Sequence, residues 1–284
     1  MIDAPGWFTE VYPHHGSAFS LKVKAKLHEE QSSFQRIAIY DTDWFGKLMV
    51  IDGCTMVAER DNFLYHEMMT HPVLYTHPSP RRVWVIGGGD CGSLREVLRH
   101  PEVSQALQIE IDERVTRLAE RYFPELCAAN QDPRAQLLFI DGIQWVRDAE
   151  ADSVDVIIVD STDPVGPAEG LFNEGFYREC FRCLGPDGIL VQQSESPLFH
   201  ADLIEAMHRT MRRAGFADTR TFYFPQCIYP SGWWSGTMAG KTMLSGFREA
   251  DAESRPFATA YYNVAVHRSA FAAPEFLLNR LTAL

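Results

Sequence analysis

The chain has 284 residues, 46% of them apolar and 23% charged, with a formal net charge of −12 at neutral pH. That is enough for one large domain, or a large domain and a small one, and no apolar run reaches the ~18 residues of a membrane span. The acidic balance comes without a basic stripe, which argues against a nucleic-acid partner and permits a cationic small substrate without requiring one.

The first residues, "MIDAPGWFTE", contain no basic segment followed by an apolar one. No secretory leader is expected, and the protein is expected in the cytoplasm. Residues 7–55 read as short strands with turn signals. Within them "FQRIAIYDTDWFGKLMVIDG" alternates, turns near 43–46 and alternates again, as a β-hairpin does. "RDNFLYHEMMTHPVLYTHPSP" then reads as a helix that stops near Pro78 and Pro80. We place a boundary there, with a small N-terminal β domain and its connecting helix in residues 1–78 and a second domain in 79–284.

From Arg82 the rhythm becomes strand, helix, strand. "RVWVIGGGD" is a strand and a glycine-rich turn, "SLREVLRH" a helix, "ALQIEID" a strand and "ERVTRLAERYFPEL" a helix. "AQLLFIDG", "VDVIIVD" and "GILVQQSES" supply further strands. Such alternation predicts an α/β domain with a parallel sheet wound on both faces. "DTRTFYFPQCIYPSGWWSGTMAG" and "TAYYNVAVH" are candidates for late strands.

The cysteines number six, and Cys180 and Cys183 form an isolated C-x-x-C with no second pair at zinc spacing. Their spacing puts both on one face of a helix, as buried free thiols. "HEMMTH" places His66 and His71 five apart, not the four of a zinc helix, so no metal is expected there.

The chemistry concentrates at strand ends. Gly87, Gly88 and Gly89 close the first strand of the second domain just before a helix. A ligand can approach the backbone there, and the helix start favours polar or anionic groups. Glu110 lies 22 residues after Gly88, at the end of the next strand, where an acid binds ribose hydroxyls. That spacing suits NAD and equally the adenosine of a sulfonium cofactor. Asp141 in "FIDG" stands near the expected adenine position, or simply forms an Asp-Gly turn. Asp90 lies inside the glycine turn itself. A pyrophosphate would be repelled by it, so it points to a ligand with a positive group. Asp160 and Asp163 follow the fourth strand in "VDVIIVDSTDPVGPAEGLF", where open α/β sheets bind ligands. A carboxylate there can hold an ammonium and take its proton.

Taken together, "GWFTE", "SSFQRI", "LMVIDG", "ERDNFLYHEMMTH", "VIGGGD", "EID", "DSTDPVGPAEGLF", "FYREC", "QQSES", "YPSG" and "YYNVAVHRSAFAAP" resemble, in order and spacing, the polyamine aminopropyltransferases, the family of spermidine synthase. The resemblance runs nearly the length of the chain. It implies a small N-terminal β-strand domain followed by a Rossmann-like domain of the S-adenosylmethionine-methyltransferase type. It also implies transfer of an aminopropyl group from decarboxylated S-adenosylmethionine, a co-substrate, to putrescine, with no cofactor or metal. By the resemblance Asp160 is the general base and Asp163 a diamine ligand. Tyr65 and His66 contact the amine, and Trp7, Glu195 and Tyr229 line or close its far end. Asp90 holds the aminopropyl ammonium and repels the carboxylate of intact S-adenosylmethionine. Gln35, Gly87, Gly88, Gly89, Glu110, Ile111, Asp141, Gly142 and Pro167 surround the donor. A homodimer or homotetramer is implied as well.

Trp7 and Tyr229 also read as plain core aromatics, and His66 as a satisfied buried histidine. Cys91 stands where the family often has a further glycine. "FPQCIYPSGWW" carries a longer link from Pro225 to Tyr229, where Trp233 and Trp234 could reshape the acceptor channel toward cadaverine or agmatine. A methyltransferase on the same fold is the competing activity, and Asp90 argues against it.

Overall fold

Alternating apolar residues between Trp7 and Ala58 form an antiparallel sheet of β1 (Trp7–Tyr12), β2 (Ser17–Gln31), β3 (Arg36–Thr42), β4 (Lys47–Ile51) and β5 (Cys54–Ala58), paired in chain order. These elements come from a computed structural model, which describes residues 5–162 and 166–282, without the side chain of Pro167. Asp163 lies outside the described residues.

The predicted helix is α1 (Asn62–Thr76), and every residue from Leu64 to Thr76 is buried. Burial on every side, which takes in the polar His66, Glu67, Thr70 and His71 as well, marks a core helix rather than a surface one. Met68, Met69, Val73 and Leu74 pack with Val83, Val85, Val156 and Ile158 of the larger sheet. Pro72 interrupts the hydrogen-bond ladder inside the helix, and the Thr76 hydroxyl donates to its carbonyl at 2.7 Å.

Beyond α1 the chain runs β6 (Arg82–Gly87), α2 (Gly92–Leu98), β7 (Gln105–Glu110), α3 (Glu113–Tyr122), β8 (Ala135–Phe139), α4 (Gly142–Asp148) and β9 (Val154–Asp160). It continues through α5 (Glu174–Cys183), β10 (Leu184–Gln193), α6 (Ala201–Arg213), β11 (Asp218–Pro225) and β12 (Trp233–Gly240). The sheet order is β11-β12-β10-β9-β6-β7-β8. The five strands from β10 to β8 are parallel, as expected, while β12 and β11 add antiparallel at one edge. The sheet is therefore mixed.

After the short α7 (Glu249–Glu253), "TAYYNVAVH" does not supply a strand. The Asn263 side chain accepts from the Val266 N–H and starts a helix there, α8 (Val264–Ala270). That capping bond outweighs the β-branched composition of the segment. A last helix, α9, spans Glu275–Leu281.

Two apolar layers cover the two faces of the large sheet. Cys180 and Cys183 sit in one of them as buried free thiols. A third cluster joins the small sheet to the rest, with Ile37, Ile39, Met49 and Ile51 against Val115, Leu118 and Phe123 around α3. The chain leaves β6 toward β7 and β8 on one side, then returns to β9 and β10 on the other. The crevice outside such a reversal is where ligands bind in this class of sheet. No helix among the described residues is long and apolar enough to cross a membrane.

Candidate active site

Gly87 and Asp160 are paired partners at the ends of β6 and β9, on either side of that reversal. The Gly88 N–H donates to the Asp160 carbonyl at 2.6 Å. Gly87 and Gly88 have φ of +81° and +64°, where a side chain is strained. A Cβ at Gly87 would stand 2.3 Å from the Asp160 carbonyl oxygen, and one at Gly88 2.9 Å from Asp160 Oδ2. The turn is thus folded tightly around the Asp160 carboxylate. Cys91 also has positive φ, +68°, as the N-cap of α2, which is why a glycine suits that position. The cysteine is accommodated, with its Sγ 3.5 Å from Gln108 Nε2.

A cavity opens over this turn, roofed by the small sheet. Its wall includes Gln35, Tyr65, Gly87, Gly88, Gly89, Asp90, Glu110, Ile111, Asp141, Gly142, Asp160 and Tyr229. The glycine turn and the strand-end acids therefore converge on one space. Around them stand apolar surfaces from both domains, among them Met49, Ile51, Ile86, Ile109, Val115 and Leu171.

Asp160 is gripped through both oxygens. Tyr65 Oη donates to Oδ1 at 2.7 Å and Ser93 Oγ to Oδ2 at 2.6 Å. Burial raises its proton affinity, the Asp90 charge raises it further, and His66, Ser93 and Tyr65 pull it back; it ends above the ordinary carboxylate range. Asp90 takes the opposite course. Burial would raise it, but the His66 charge and hydrogen bond, with the Gly92 N–H at 2.8 Å, hold it below its ordinary value. The His66 Nε2 lies 3.1 Å from Asp90 Oδ2. Burial depresses the His66 ring, yet Asp90 outweighs this and leaves its proton affinity raised. Two neighbouring carboxylates driven apart in this way are suited to different tasks, one to stay charged and one to accept a proton.

Glu110 is buried, and burial pushes it up to about 7, against the Asp112 N–H that donates to its Oε1 at 2.8 Å. Gln35 Nε2 reaches the Asp112 carboxylate at 3.1 Å. Asp141 faces the cavity and also caps α4, accepting the Ile143 N–H at 2.8 Å, so turn chemistry and wall position coincide. Tyr229 Oη donates to the Met56 carbonyl at 2.5 Å, and its ring packs between Tyr65 and Trp234.

Among the described residues, three expected site residues are not on the wall. His66 stands behind Asp90, its ring filling the space at Gly92, where a Cβ would lie 2.2 Å from Cε1. Glu195 lies behind Gln193, which is on the wall and donates to Glu195 Oε1 at 3.3 Å. Trp7 is 47% exposed at the start of β1. Side chains alternate along a strand, so residues 7 and 10 point to opposite faces. The inward residue is Glu10, on the wall, its Oε2 accepting from the Thr55 N–H and hydroxyl, each at 2.8 Å. Nothing local in the sequence singles out Glu10, because its burial comes from the fold. Of the two tryptophans, Trp234 lines the cavity, while Trp233 packs outside it on Tyr223 and Phe276. His71, the other histidine of "HEMMTH", faces His100 and Glu96, away from His66's partner.

Residues 62–248 match the spermine/spermidine synthase domain, and residues 6–59 match the spermidine synthase tetramerisation domain. A polyamine aminopropyltransferase of Methylococcus capsulatus is 74% identical over the whole of both chains, and one of Thioalkalivibrio sulfidiphilus is 64% identical over 97% of each. Among solved structures, a spermidine synthase bound to the transition-state analogue AdoDATO superposes with a TM-score of 0.94 at 34% identity, covering 100% of this chain and 97% of that one. The spermidine synthase of Thermotoga maritima superposes with a TM-score of 0.92 at 35% identity, covering 98% and 94%. With the domain order, the glycine turn and the acid-lined cavity in agreement, the chain belongs to the spermine/spermidine synthase family and is an aminopropyltransferase.

Proposed function

We propose that the chain transfers the aminopropyl group of decarboxylated S-adenosylmethionine to putrescine, giving spermidine and methylthioadenosine, with Asp160 as general base. The observation that carries this reading is the divided pair in one wall, Asp90 held ionised by His66 and Asp160 raised in proton affinity beside it.

The donor's sulfonium already activates its methylene carbon. The attacking amine needs its lone pair, and a primary amine is mostly protonated near pH 7, so a base must take its proton. The nitrogen lone pair forms the new C–N bond as the C–S bond breaks. The released pair neutralises sulfur to a thioether, and the amine's surplus proton passes to Asp160. Asp90 receives the donor's ammonium and disfavours a donor that keeps its carboxylate. Glu110 accepts ribose hydroxyls; Gln35, Ile111, Asp141, Gly142 and Pro167 border the adenosine. No cofactor is invoked.

Asp163 contributes as a second diamine ligand. Toward the small sheet, Glu10 offers the acid for the diamine's far ammonium. Thr55, which donates to Glu10, lies within 2.9 Å of the Ile228 carbonyl, one residue before Tyr229. Tyr229 and Trp234 then set the length of acceptor that fits. We propose further that the protein acts in the cytoplasm as a homodimer or homotetramer, which the match to a tetramerisation domain supports.

The test is a product assay with the decarboxylated donor and a panel of putrescine, cadaverine, agmatine, spermidine and no acceptor. Spermidine and methylthioadenosine from putrescine are expected. Turnover with another amine alone would overturn the acceptor, and no product from any amine would overturn the reaction.

A further inference from the structure

A serine near a helix start ordinarily caps it. Ser93 does not: the N-cap of α2 is Cys91, and Ser93 lies within the first turn, completely buried. Its hydroxyl reaches instead to Asp160 Oδ2 at 2.6 Å, across 67 residues of sequence. Tyr65 holds the other oxygen at 2.7 Å, so the plane of the carboxylate is set from two elements at once, α1 and α2.

We infer that Ser93 is a positioning residue for aminopropyl transfer, acting through the Asp160 carboxylate rather than on either substrate. The inference rests on Asp160 being the base proposed above. A hydroxyl donated to a carboxylate favours its charged form. Here it works against burial and against Asp90, the two influences that raise Asp160. The groups facing Asp160 are Tyr65 and His66 from α1, Asp90 from the glycine turn and Glu110 from the end of β7. Of these, Tyr65 and His66 assist Ser93 in favouring the charged form, so Ser93 shares the task of keeping the base unprotonated.

Ser93→Ala removes the hydroxyl from a site that needs little else. The base must be unprotonated to act, so a higher proton affinity starves the reaction at low pH. We expect the acidic limb of kcat against pH to move up by about one pH unit. The donor KM should stay at its wild-type value, and Ser93→Thr, which restores a hydroxyl, should return the limb. A carboxyl carbon-13 NMR titration of the unliganded protein, with the Asp160 signal assigned by its loss in Asp160→Asn, should show the same rise in Ser93→Ala. A folded Ser93→Ala whose kcat falls equally at every pH, or whose Asp160 signal titrates as in wild type, overturns the inference. So does a limb that stays displaced in Ser93→Thr. Failure of the parent reading looks different: the wild-type protein itself would form no product from any amine.

Discussion

Asp90 raises the proton affinity of Asp160, while His66, 3.1 Å from Asp90, keeps Asp90 itself ionised. The two acids are thereby linked through His66, which Asp90 keeps protonated against burial. Asp90→Asn removes both the charge that raises Asp160 and the support of the imidazolium that lowers it, so its clearest effect falls on the donor. It should weaken the decarboxylated donor and relax exclusion of the carboxylated one. Binding of both donors by calorimetry checks this; unchanged donor discrimination would count against the assigned role.

Gly92 is occupied space rather than a flexible point. A Cβ there would lie 2.2–2.5 Å from three atoms of the His66 ring. Gly92→Ala must push the ring from Asp90 or shift α2, at about 1–3 kcal/mol for overpacking a tight site. We expect a lower melting temperature together with weaker donor binding. An alanine variant with wild-type stability and donor affinity would show that the ring has somewhere else to go.

Much of this site is legible in the sequence because its parts are local. A strand end, a glycine turn and a helix start are adjacent in the chain, so Gly87, Asp90, Glu110, Asp141 and Asp160 can be found from their spacing and context. Glu10 and Ser93 are different. Glu10 reaches the cavity because β1 is carried over the larger sheet by β2–β5, and nothing local records that apposition. Ser93 reads as an ordinary helix-start residue until the fold brings β9 beside it. Trp7 is off the wall for a simpler reason, the three-residue offset that turns it away from the face Glu10 uses. The late segment 259–267 carries Thr259, Tyr261, Tyr262, Val264 and Val266, all strand formers, yet the Asn263 cap starts a helix at Val264.

Stability should also respond to pH away from the site. His208 is buried between Thr219 and Thr221, 2.7 Å from each hydroxyl, and burial with the nearby Arg212 charge lowers it from 6.5 to about 4. The folded protein therefore binds this proton less readily than the unfolded chain. The stability that follows is intact above about 6.5 and is lost as pH falls toward 4, about 3 kcal/mol for a shift of that size. His208→Gln should lose this contribution, so its melting temperature should fall less than that of wild type between pH 7 and 4.5. Parallel curves for the two proteins would contradict the assignment.

Cys91 tests the shape of the turn. Its φ of +68° is one that β-branched side chains rarely adopt. Cys91→Gly should preserve turnover, whereas Cys91→Val should cost about 1–3 kcal/mol of stability. Chemical denaturation of both variants measures this, and a valine variant as stable as wild type would mean that the turn can take another conformation.

The central claim is that Asp160 takes the proton. The most direct measurement is single-turnover formation of spermidine by Asp160→Asn with saturating donor and putrescine, alongside donor affinity by calorimetry. The account predicts wild-type donor affinity and a rate lower by about 10²–10⁴-fold, the usual contribution of a general base. A rate near wild type, with the donor still bound, would show that the proton leaves by another route.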